Sequence, residues 1–117
     1  MTPRETLVTV ISGAGLPAYP LSVPEGGSYP CVVYQYISGR QIRSHAGGEL
    51  ERARLQLSCW GLSFETAQST AETVKAALDL NQDDYLLATR ENELDLKEVE
   101  PGYYRIVLDY FIWTGGN

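Results

Sequence analysis

Lysine is almost missing from this 117-residue chain: Lys75 and Lys97 are the only two, and seven arginines raise the basic residues to nine against fifteen carboxylates. The formal net charge of −6 excludes sequence-independent binding to nucleic acid through a basic face, which needs cations to displace counterions from phosphates. Histidine occurs once, at His45, and cysteine twice, at Cys31 and Cys59. These three residues lie far apart with no CxxC or HxxxH spacing, so a tetrahedral zinc site would lack a fourth ligand and no metal is expected. Two cysteines are also too few for a disulfide framework, which points to synthesis in a reducing cytoplasm. No apolar run approaches the roughly 18 residues of a membrane helix. The opening MTPRETLVTVISG has no basic flank before a long apolar stretch, so neither signal-directed secretion nor a membrane span is expected.

Catalytic patterns are missing as well. His45 sits in a glycine-rich stretch with no Ser or Cys nucleophile on a recognisable elbow. Asp83-Asp84 and the run from Glu91 to Glu100 lie in polar segments, with no apolar setting to raise a carboxyl pKa. Gly13-Ala14-Gly15 lacks the third glycine and the preceding strand of a phosphate-binding loop, and GxxxxGK[ST] does not occur. No catalytic, cofactor-binding or metal-binding residue is therefore assigned, and the chain is read as not an enzyme.

What is present is a folding domain. A hydrophobic fraction of 44% with eight tyrosines argues against disorder, and the length suits one domain over residues 1–117. Thr2-Pro3-Arg4-Glu5 is a helix start, with Leu7, Val10 and Ile11 on one face and Gly13 ending a short helix over about 3–12. Prolines 17, 20, 24 and 30 with Gly26 and Gly27 make the next stretch mostly loop, with a short extended piece around 18–23.

Residues 31–38, CVVYQYIS, read as a strand. So do residues 52–60, where Ala53, Leu55, Leu57 and Cys59 alternate with Arg54, Gln56 and Ser58, the period-2 pattern of a strand with one face on a core. Ser63 is a helix N-cap with Glu65 in the first turn, and Ala67, Thr70, Ala71, Val74, Ala77 and Leu78 form the inner stripe of a helix running to about Leu80. Glu72, Lys75 and Asp79 are spaced for weak ion pairs. Residues 85–90 and 94–99 predict two short strands or one interrupted hairpin, with Asn92 as the turn residue.

Between the first two strands, SGRQIRSHAGGELE is longer than a hairpin turn, and predicts a flexible arm over about 39–51. Arg40, Arg43 and His45 gather positive charge there in an acidic protein; a solvated loop is the plainer reading. The strongest strand signal is the last, with Tyr104, Ile106, Leu108, Tyr110 and Ile112 on one face. Tyr103, Arg105, Val107, Asp109, Phe111 and Trp113 occupy the other, followed by a short disordered tail over 114–117. Large apolar groups on both faces require a cover on each, the second supplied by the N-terminal helix or by a neighbouring subunit. Arg105 and Asp109 share that second face and are expected to form an intrasheet or intersubunit ion pair.

The expected fold class is therefore α+β: a small, mostly antiparallel sheet of four to five strands, with a long helix packed on one face and a short N-terminal helix. The succession YPCVVYQYISG, SHAGGELERARLQLSCWG, SFETAQSTAETVKAALD and YYRIVLDYFIW, over about Tyr29 to Trp113, resembles the tail-terminator, or tail-completion, head-tail joining family of long-tailed bacteriophages and prophages. The resemblance implies a structural virion protein, without cofactor, that forms a hexameric ring on the end of the tail tube and stops its polymerisation. It implies as partners further copies of the chain, the tail tube protein and the head-tail connector or neck protein, with phage DNA passing through unbound. Its place would be the virion tail or neck, after synthesis in the host cytoplasm. The candidate interface residues are Arg40, Arg43 and His45 on the arm and Arg105, Asp109, Phe111 and Trp113 on the last strand. The alternative is a small non-enzymatic protein-binding module, or another minor neck component.

Overall fold

The computed structural model describes residues 3–43, 49–80, 86–97 and 103–116. In chain order the elements are α1 (Pro3–Gly13), β1 (Ala18–Pro20), β2 (Cys31–Arg43), β3 (Glu49–Gly61), α2 (Phe64–Leu80), β4 (Leu86–Lys97) and β5 (Tyr104–Gly116). The strands form one sheet in the order β1-β2-β3-β5-β4. β1 runs parallel to β2, and every other pairing is antiparallel. This is the α+β architecture that the alternation patterns predict.

Period-2 alternation decides which side of the sheet is dry. Ala53, Leu55, Leu57 and Cys59 of β3 stand opposite Ile112, Tyr110, Leu108 and Ile106 of β5, and all eight are buried. α2 lies over them with Ala67, Ala71, Val74 and Leu78, and α1 adds Leu7 and Ile11 to the same core. Small residues on α2 bring its axis close to the sheet. The closest approach is at Gly61, where an added Cβ would stand 2.5 Å from the Ala67 backbone nitrogen. α2 begins as its sequence indicates, with the Thr66 amide donating to Ser63 Oγ at 3.1 Å. α1 ends differently. The helix includes Gly13, and Gly15, at φ 86°, takes the left-handed turn that glycine allows.

Four sequence expectations need correction. The arm over 39–51 is largely strand, because β2 and β3 stay paired out to Arg43 opposite Glu49; residues 44–48 lie outside the described residues. The tail is strand for the same reason, with Thr114, Gly115 and Gly116 of β5 facing Glu51, Leu50 and Glu49. A third strand beneath the hairpin arm satisfies backbone groups that an isolated arm would leave to water. Residues 86–97 form one strand rather than two pieces, since a β-bulge between Arg90 and Asn92 absorbs the polar interruption without a turn. Finally, α1 packs beside α2 on the helix side, so it does not cover the second face of β5. The short extended piece before β2 is the three-residue β1.

The cysteines are buried and cannot bridge. Cys31 stands opposite Trp60 and Cys59 opposite Val32, so their side chains leave opposite faces of the sheet. Burial pushes the Cys31 thiol up to about 11 and the Cys59 thiol up to about 12, and it also raises the Tyr110 hydroxyl. Among the described residues no helix is long and apolar enough to cross a membrane, and no group of three His, Cys, Asp or Glu side chains gathers as metal ligands.

Two expectations follow for stability. Gly61→Ala forces a methyl group against helix backbone and should cost roughly 1–3 kcal/mol in a denaturant titration, since backbone yields less readily than a side-chain tip. Alkaline pH should destabilise as well. The native state holds its thiol protons to higher pH than the unfolded chain, so stability is complete below the ordinary thiol value of 9.0 and falls as pH rises toward 11 and 12. Thiol labelling at pH 8 should leave both cysteines unmodified in the folded protein and modify both after denaturation.

Candidate functional site

The side of the sheet away from the helices carries the residues of interest. From the strand registers its rows across β3 and β5 are Arg52 with Trp113, Arg54 with Phe111, Gln56 with Asp109, Ser58 with Val107 and Trp60 with Arg105. No helix covers these rows among the described residues. Cation-π stacking organises the upper part, where the Arg52 guanidinium lies 4.9 Å from the Phe111 ring centroid and 5.4 Å from that of Trp113. Arg54 pairs with Asp109 at 3.5 Å, a contact with 45% of the Arg54 side chain and 13% of the Asp109 side chain exposed.

The lower part is a groove of about 310 Å³, floored by Val33, Gln35, Gln56 and Ser58 and walled by Trp60, Arg105 and the loop from Leu21 to Tyr29. Arg105 stacks over Trp60 at 5.2 Å, and Tyr29 packs against both Trp60 and Tyr103, with ring centroids 6.4 and 5.5 Å away. Leu21 stands at the mouth with φ 67°, a conformation uncommon for a leucine, and is held there by its amide donating to the Tyr34 carbonyl at 2.9 Å. Its side chain is largely exposed.

Arg105, Asp109, Phe111 and Trp113 thus share the open face as the alternation of β5 predicts. The ion pair that Asp109 makes is with Arg54 on the neighbouring strand. Four residues along a strand are about 13 Å, whereas the next strand is under about 5 Å away, so each finds its partner on β3 instead: Asp109 takes Arg54 and Arg105 takes Trp60. Arg40 is exposed on β2, level with Arg52. Arg43 stands opposite Glu49 at the end of β2, and His45 lies outside the described residues. Arg52, Arg54, Trp60 and Tyr29 complete the site and were not singled out from sequence. Their relevant signal is cross-strand, and it emerges only once β3 is placed in register with β5.

Charge on the far edge is acidic. Glu91, Glu93 and Asp95 are exposed along β4, while Asp83-Asp84 and Glu98 to Glu100 lie outside the described residues. The helix-side spacing expectation is half met: Lys75 reaches Glu72 at 3.0 Å and Glu93 at 2.7 Å, tying α2 to the edge strand. These carboxylates raise the Lys75 ammonium, Glu93 first. The geometry places aromatic rings and guanidinium groups, residue types enriched at interface hot spots, together on this face.

Comparison with known proteins agrees with a structural role. No curated protein matches the chain. Among solved structures, a chain of the virion of a native gene transfer agent particle has the same fold, with a TM-score of 0.50 at 17% identity, covering 94% of this chain and 84% of its own. The sequence matches the family described as tail completion protein gp17 over residues 7–115, nearly its whole length. With its fold, its open aromatic face and that match together, the chain belongs to the tail completion protein gp17 family of structural phage tail proteins.

Proposed function

We propose that this chain is a ring-forming subunit that caps the end of a phage tail tube, ends its polymerisation and joins the tail to the head or neck. The observation that carries the reading is the partly exposed Arg52, Phe111 and Trp113 cluster on the sheet face that no helix of the described residues covers, opposite the face that holds the core. A small domain that exposes such a patch is completed by a neighbouring protein. Here the neighbour is a tube or neck protein of the tail, as the family and the virion setting of the structural relative suggest. Synthesis in the host cytoplasm suits two buried thiols without a disulfide. A net charge of −6 also suits a ring through which DNA slides, because like charge disfavours sticking of phosphates.

The groove beside Trp60 favours one other reading, a module that holds an extended peptide without forming rings. Light scattering on the purified chain, negative-stain imaging and a tube-assembly assay separate the two. The ring reading expects closed rings and tubes whose growth stops when the chain is added. A monomer that neither caps tubes nor limits their length would overturn it. Arg52→Ala and Trp113→Ala should leave the fold within about 1 kcal/mol of the parent, as half-exposed positions do. They should still weaken tube capping by about 2 kcal/mol or more if this face is the contact.

A further inference from the structure

The sheet ends in two long edges, one carrying only basic charge and the other a mixed set in which carboxylates outnumber bases. On one side, β1 covers the outer edge of β2 only at Val32, Val33 and Tyr34, and among the described residues no strand pairs with that outer edge over residues 35–43. On the other side, β4 pairs only with β5, so its outer edge runs for twelve residues with no proline. Long edges of this kind are templates for another strand; β1, by contrast, is short and ends in Pro20, both features that protect an edge.

We propose that copies of this chain join head to tail through these edges, β2 beyond Tyr34 in one copy adding antiparallel to β4 of the next. The inference rests on the ring reading and names the joint that makes the ring.

Direction, charge and apolar exposure all favour a second copy as the occupant. Counting across the antiparallel pairings, β2 and β4 run in opposite directions, so a neighbour in the same orientation presents its β2 antiparallel to β4. β2 carries Arg40 and Arg43 in this stretch and no carboxylate, whereas on β4 Glu91, Glu93 and Asp95 outnumber Arg90 and Lys97, and with Glu93 held by Lys75 and Arg90 the carboxylates left to meet Arg40 are Glu91 and Asp95. The same charges disfavour the alternative two-fold contacts. An antiparallel pairing of β4 with itself centred on Glu93 sets Glu91 against Asp95, and β2 against itself gathers arginines. Each edge also leaves a large apolar side chain in water, Ile37 at the β2 bulge with 42% exposure and Leu94 on β4 with 50%. Because the two patches differ, the contact is heterologous and repeats around a ring until it closes.

The test uses the full chain with Ile37→Cys in one preparation and Leu94→Cys in another, treated with a short bismaleimide. Both positions are exposed, and buried Cys31 and Cys59 keep the background low. The mixed variants should cross-link into dimers, each variant alone should not, and the double variant should give a ladder ending at the ring. Arg40→Glu should raise the concentration needed for half-assembly about tenfold, with recovery on adding Glu91→Arg, as expected for complementary interfacial charge. If imaging shows rings but the mixture fails to cross-link, or either variant alone gives dimers, the edge joint is wrong and the ring reading survives. If the parent chain stays monomeric in light scattering, both fall.

Discussion

The structure depends on β3 being paired on both sides over nearly all of its length. Twelve of its thirteen residues, Glu49 to Trp60, are matched to β2 on one side and all thirteen to β5 on the other, and its side chains alternate between a dry and an open face. A slip of one residue against either neighbour would carry Leu55 and Leu57 to the open face and Arg54 and Gln56 into the core. The cost of burying those polar groups holds the register. The placement of both helices follows. α2 needs the flat apolar strip of Ala53, Leu55, Leu57 and Cys59, and the missing side chain at Gly61 lets its first turn close down on the sheet.

One consequence is asymmetry. Among the described residues there are two helices, and both lie on the same side, so the other side of β5 is left to the loop around Leu21 to Tyr29 and to solvent. The open face answers in part internally. Arginine stems and guanidinium planes lie over Phe111, Trp113 and Trp60, reducing apolar exposure while keeping charge in water. Such a surface keeps its charges hydrated and is still rich in groups that would gain from desolvation in a complex. Assembly proteins have to satisfy both conditions, since they are synthesised as single chains and function as parts of larger particles.

Charge is sorted within the acidic whole. Three carboxylates stand on β4 beside Arg90 and Lys97, the distal half of β2 carries only basic charge, and the tie from Lys75 to Glu93 anchors the β4 edge to α2. The separation of sign between the sheet's two ends matters more for association than the net value, because it distinguishes unlike edges from like ones.

Much of the fold was legible in the sequence. Alternation in residues 53–60 and 104–112 identified the two central strands and their buried faces, the small-residue stripe and Ser63 identified α2, and the missing catalytic and metal spacings pointed toward a structural role. These signals are local, carried by side-chain period and capping within a few residues. What only tertiary structure decided is non-local. The polar stretch at Arg90 to Asn92 reads as a turn in isolation and becomes a bulge because β5 holds the strand on either side of it. Residues 39–43 and 49–51 read as arm and 114–116 as tail, and they become strand because neighbouring strands supply one another's hydrogen bonds. Asp109 finds Arg54 rather than Arg105 because neighbouring strands are closer than residues four apart on one strand. Pairing partners distant in sequence set these outcomes, and no window of the chain contains both members of a pair.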